Sequence, residues 1–162
     1  TGQIISSFEN ALAACTVLTA YIPMLMDTGG NAGSQASVTI IRSLSLNQVE
    51  FKDILKVMWK ELRVSILVGL ALAVANFIKL MLVDRLLLGT EGLTNTVALV
   101  ICLSLFIVVI VAKFIGCTLP LLTKKLGFDP AVMASPFITT IVDALGLLVY
   151  FNIAKVLISS LL

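Results

Sequence analysis

The chain has 162 residues, of which 59% are apolar and only 12% charged, and its mean hydropathy is +1.12. Soluble domains average roughly 45–50% apolar and about 25% charged, so polar surface here is too scarce to coat a water-soluble domain. The lack of histidine excludes imidazole-bound metals and His-based acid–base catalysis, and a net charge of +2 gives no case for nucleic acid.

The pattern predicts an all-α, polytopic membrane helix bundle, one transmembrane domain over residues 1–162 with four spans. The chain opens on Thr1 rather than Met, with no basic n-region ahead of an apolar core. It reads as a piece of a longer protein rather than one with a signal peptide.

The first span is expected over residues 10–41. Asn10 to Met26 is free of charge, and after Asp27 an uncharged but polar stretch continues to Ile41. Within it stand Gly29, Gly30, Asn31, Gly33, Ser34 and Gln35, poor choices for a helix facing lipid all round. The glycines suit close approach of another helix, or local unwinding that offers carbonyls to an ion. Gly29 and Gly33 fit the small-xxx-small spacing of a tight crossing, and Asn31 and Gln35 present amide oxygens on one face. The two roles are compatible.

Arg42, Lys52, Lys56, Lys60 and Arg63 crowd the first connection. Phe51, Ile54, Leu55, Met58 and Leu62 recur at helical spacing there. That stretch either lies along the headgroups or extends the next span inward. The second span, 64–83, is interrupted only by Asn76 and Lys79, and the link after it holds Asp84, Arg85 and Glu91. The third, 93–112 with an inward extension, is charge-free, and Lys113 follows. Lys79 and Lys113 lie near span ends and are expected to snorkel to the interface.

Lys124 and Lys125 occupy the third link, and Asp129 before Pro130 forms a helix N-cap. The positive-inside rule puts the two basic links in the cytoplasm and both ends of the chain outside. Each window is long enough to cross ~30 Å of hydrocarbon, and none alternates as a barrel strand does.

The fourth span, 130–154, holds one acid near its middle, Asp143. An ionised carboxylate there costs at least ~2.5–3.5 kcal/mol on insertion scales, and Asp is too short to snorkel. Ser135, Thr139 and Asp143 recur every fourth residue, one stripe of two hydroxyls leading to an acid. Hydroxyls alone serve as helix–helix glue; with the acid on the same stripe they point to a cation path.

Cys15, Cys102 and Cys117 are odd in number, widely spaced and beside apolar runs, so they read as buried thiols rather than a disulfide framework. No nucleophile–base pair or phosphate-binding loop supports an enzyme.

Two stretches carry a family likeness. Pro23 followed by Asp27-Thr28-Gly29-Gly30-Asn31-Ala32-Gly33-Ser34-Gln35 resembles the hallmark of the MgtE family of magnesium channels. Asp129-Pro130-Ala131 through Ser135-Pro136, Thr140, Asp143, Gly146 and Tyr150 resembles that family's last span. The resemblance implies a five-span membrane domain whose first span is missing here, together with cytoplasmic magnesium-sensing and CBS domains that precede it. It implies a homodimer in the bilayer, with a pore on the two-fold axis.

It further implies that Asp143 holds a hydrated Mg2+ as the transported ion, with Thr139 and Ser135 completing the site. Asn31 and Gly33 would then belong to the pore-lining segment. Family members often carry Asn-Pro where Ser135-Pro136 stands and a small residue at Thr139, a departure that bears on selectivity among Mg2+, Mn2+, Co2+ and Ni2+. Mg2+ dehydrates reluctantly, so a fast pore should grip its water shell, which a carboxylate and a few neutral oxygens suit. The competing transport mode is a sodium- or proton-coupled secondary transporter or exchanger using Asp143 as the coupling-ion site. A purely structural subunit would leave Asp143 without a role.

Overall fold

The computed structural model describes residues 2–7 and 16–158, without the side chains of residues 6, 7 and 133–136. The described residues are helical almost throughout. Short helices α1 (Gly2–Ser7) and α2 (Val17–Ala20) precede α3 (Ile22–Ser45). A 3₁₀ turn (Phe51–Asp53) leads into α4 (Ile54–Lys79), which continues as a π-helical segment (Leu80–Leu87). The long helices α5 (Asn95–Lys125) and α6 (Pro130–Ile158) complete the chain.

Three helices are long and apolar enough to cross a membrane: Phe51–Leu87, Asn95–Lys125 and Phe137–Ile158. The expected first span lies partly in residues 8–15, outside the described residues. The rest of it is broken at Tyr21 into the short α2 and α3, and the 24 residues of α3 reach about 36 Å at 1.5 Å each. Helix α3 therefore has the length of a span but, with its glycines, Asn31 and Gln35, a lower apolarity than the other three.

Local chemistry sets the ends. Thr94 caps α5, its Oγ1 accepting from the Val97 amide at 3.2 Å. Asp129 caps α6 as expected, Oδ1 accepting from the Ala131 amide at 2.9 Å with Pro130 in the first turn. Helices α3 and α5 end alike. Asn47 and Gly127 take left-handed φ of 53° and 82°. In each case the next amide, Gln48 or Phe128, returns to the carbonyl five residues back, Ser43 or Thr123. Lys124 Nζ adds a bond to the Leu44 carbonyl at 3.2 Å, tying the two ends together.

Helix α5 is the axis of the bundle: α3, α4 and α6 all pack on it, α3 and α6 also pack on each other, and α4 leans chiefly on α5. The core runs along α5 through Val97, Ile101, Leu105 and Val109, joined by Leu25 of α3 and by Ile138, Val142 and Tyr150 of α6. Tyr150 Oη donates to the Leu18 carbonyl at 2.9 Å, fixing α6 to α2. The outer side of α4 exposes Leu67, Leu70, Val74 and Ile78, and the π-helical segment adds Leu82, a face suited to hydrocarbon.

The glycine-rich stretch of α3 stays helical from end to end, so of the two structural options the close crossing is the one adopted. A Cβ on Gly29 would lie 2.7 Å from Val108 Cγ1, and one on Gly33 would lie 2.8 Å from Ile138 Cγ2 and 3.0 Å from the Ala112 carbonyl oxygen. The stretch around Met58 extends the second span inward as one continuous helix rather than forming a separate interfacial one.

The lysines depart from expectation. Lys113 does not snorkel: it is buried on α5, with Nζ 3.6 Å from Oε2 of the equally buried Glu61 on α4. A lysine held beside a carboxylate inside the bundle loses less than one left bare, so pairing replaces escape to the interface. Lys79 Nζ reaches not simply water but Asp84 Oδ2, at 2.7 Å. Asp84 is only 5% exposed and lies in the π-helical segment, not in a loop; its Oδ2 also accepts from Tyr21 Oη at 2.7 Å. Cys102 and Cys117 are buried free thiols, and Cys15 lies outside the described residues.

Candidate functional site

Helices α3 and α6 cross so that one side of each turns into the core and the other remains open. On α3, Leu25, Gly29, Ala32, Gly33, Ala36 and Ile40 are buried, while Asp27, Asn31 and Gln35 are exposed. On α6, Ile138 and Val142 are buried, while Thr139 is exposed and Asp143 half-buried. The two polar edges meet in a cleft of about 250 Å³ lined by Met26, Asp27, Gly30, Asn31, Ser34, Thr139 and Asp143.

The fold thus brings Asp143, Thr139 and Asn31 together, as three of the residues singled out in the sequence. Gly33 faces the other way, into the crossing with α5 and α6, and serves the site by letting the helices approach. Ser135 lies one turn before Thr139 on α6, and its side chain is outside the described residues. Gly146 stands three residues beyond Asp143, where a Cβ would lie 3.0 Å from Cε at the flexible end of Met26 on α3.

Asp27 and Ser34 were not singled out as ligands. Their signal was present: Asp27, Asn31 and Ser34 stand at i, i+4 and i+7, one face of a helix. Unwinding at the glycines, left open by the sequence, would have destroyed that register, and the continuous α3 preserves it.

The electrostatic character of the cleft sets it apart from the other acids in the bundle. Glu61 and Asp84 are buried and each pairs with a lysine. Asp27 and Asp143 make no salt bridge and no side-chain hydrogen bond among the described residues. They face an open space with amide and hydroxyl oxygens around it. Two carboxylates with neutral oxygen neighbours form a hard, anionic donor set suited to a hydrated alkaline-earth cation, while no cluster of three acidic or thiol groups for inner-sphere capture exists among the described residues.

An all-helical bundle of membrane-length spans, with an acid-lined cleft between two of them, has the form of a cation-transport domain. Residues 22–153 match the family model MgtE, described as a divalent cation transporter, and the chain belongs to that family. It is 35% identical to the magnesium transporter MgtE of Thermus thermophilus over 160 residues and 35% identical to that of Bacillus subtilis over 161. The corresponding protein of Enterococcus faecalis is 31% identical over 155 residues. These alignments take in 96–99% of this chain but only 32–34% of each relative, so the chain spans about a third of their length.

Proposed function

We propose that this chain forms the conduction path of a transporter for divalent cations, chiefly Mg2+, and that a hydrated ion rests in the α3–α6 cleft against Asp143 and Asp27. The observation that carries the reading is the pair of aspartates, without lysine partners, sharing one open cleft with Asn31, Ser34 and Thr139. Six waters at about 30 Å³ each occupy roughly 180 Å³, so the cleft has room for an octahedral hydrated ion. Carboxylates and neutral oxygens then act on the water shell, which spares Mg2+ the large cost of dehydration.

A polar face at the depth of the spans is not left against hydrocarbon. A second copy apposed across this face would shield it, doubling the carboxylates around one axis, and this supports a homodimer with the pore at its centre. The matched relatives are named magnesium transporters, which supports Mg2+ as the cargo. Cytoplasmic regulatory domains in the whole protein and an outward placement of both ends of the chain belong to the same reading. Ser135, one turn from Thr139, extends the site along α6.

The test is uptake of Mg2+ into vesicles holding the full-length protein, followed with an internal Mg2+-sensitive dye and no co-ion gradient. Asp143→Asn is expected to lower the rate on the order of tenfold or more, since it removes the acid facing the ion. Wild-type rates in that variant, with its assembly unchanged, overturn the assignment. A strict need for a sodium or proton gradient overturns the channel mode.

A further inference from the structure

A second polar cavity, remote in character from the acid-lined cleft, lies where the end of α3 meets the start of α4. It measures about 480 Å³, and its lining includes Lys56, Lys60, Arg63 and Trp59 of α4 with the acids Asp53 and Glu61. Lys56, Lys60 and Arg63 stand at i, i+4 and i+7, so α4 presents them along one face. The two acids are engaged within the protein. Asp53 Oδ2 accepts from the Glu50 amide at 3.1 Å in the capping box that starts the helix, and Glu61 is the partner of Lys113. The three cations have no salt bridge among the described residues. Arg63 lies over the Trp59 ring, its Cζ 5.9 Å from the ring centroid.

The level of this cavity along the span is informative. The apolar run of α4 begins at Val64, one residue past Arg63. Trp59, 61% exposed, sits just before that boundary, where indole rings anchor at the bilayer interface. Exposed Ile66 and Leu67 follow within the next turn. A basic cavity therefore opens at headgroup depth directly beside a hydrocarbon-facing surface. That combination matches an anionic lipid, with its phosphate among the cations and its acyl chains along α4.

We propose that this cavity binds the phosphodiester headgroup of an anionic phospholipid. Lys56, Lys60 and Arg63 neutralise the phosphate, and Trp59 packs against the glycerol region. Basic pockets between spans at a membrane face recognise such headgroups, and three cations with no salt bridge among the described residues supply the charge complementarity. The site is separate from the α3–α6 cleft and depends only on the membrane placement of α4.

Trp59 is the only tryptophan among the 162 residues and serves as the reporter. In the full-length protein, any tryptophan outside this chain is replaced by phenylalanine. The protein is then reconstituted with brominated phosphatidylglycerol or brominated phosphatidylcholine at equal mole fraction. Trp59 fluorescence is expected to be quenched at a severalfold lower fraction of the anionic lipid. That preference should vanish in K56Q/K60Q/R63Q and persist in K155Q, a charge removed elsewhere. Equal quenching by both lipids, or a preference that survives the triple variant, overturns the proposal. So does displacement of the brominated anionic lipid by millimolar inorganic phosphate, which would assign the cavity to a soluble anion.

Discussion

Gly116 of α5 lies directly against the backbone of Gly33 of α3, so that a Cβ on Gly116 would collide with the Gly33 carbonyl oxygen. Backbone, not a flexible side chain, stands in the way. Gly116→Ala is therefore expected to destabilise the folded protein by about 1–3 kcal/mol, the range for forcing extra atoms into a packed contact. Gly30→Ala is the contrast. Its Cβ would meet only Thr139 Cγ2, at an ordinary 3.7 Å, and the expected change is within about 0.5 kcal/mol or slightly stabilising. Thermal unfolding of both variants in one detergent checks the pair, and equal losses would refute the crossing.

Asp27 faces the same cleft as Asp143 from the opposite helix. Asp27→Asn is expected to reduce Mg2+ uptake clearly while leaving expression and assembly unchanged. Thr139→Val should have a smaller effect, because water replaces a single outer-sphere hydroxyl with little loss. Uptake rates measured side by side give the order Asp143, Asp27, Thr139. A Thr139→Val defect larger than that of Asp27→Asn would contradict contact through water.

The buried Glu61–Lys113 pair joins α4 to α5. Lys113→Met strands the carboxylate inside the bundle and should cost about 3–5 kcal/mol. Adding Glu61→Leu removes the stranded charge and should recover most of that stability. Chemical unfolding of the wild type, both single variants and the double variant measures the coupling, which is absent if the two groups act independently.

Tyr21 and Lys79 both donate to Asp84. Tyr21→Phe deletes a buried hydrogen bond to a charged acceptor, worth about 1.5–3 kcal/mol. Lys79→Met should cost less, since half of that side chain is exposed and water screens the pair. Thermal melting that ranks the two the other way would show Asp84 to be held by the lysine instead.

The all-helical membrane bundle and the Asp129 cap were legible because each rests on local rules, apolar run length and an acid before proline, whereas the spacing of three and four around Met58 left an inward extension of α4 and a separate interfacial helix equally open. The clustering of Thr139 with Asn31 was half legible, since each helix face could be read but not which faces would meet. Asp84 was misread as a loop charge because the π-helical segment carries the helix past the apolar window and turns that acid inward. Lys113 was misread because its partner Glu61 lies 52 residues away on another helix, a pairing that only packing reveals. Gly33 and Asn31 stand two apart in one motif, and only three-dimensional placement separates a packing role from a lining one.

Because α4 leans on α5 and hardly on α3 or α6, a push delivered to α4 arrives at the aspartates second-hand. The span that faces the hydrocarbon most broadly thus stands one helix away from Asp27 and Asp143, and the buried Glu61–Lys113 pair is the charged contact on the seam between that span and the central helix.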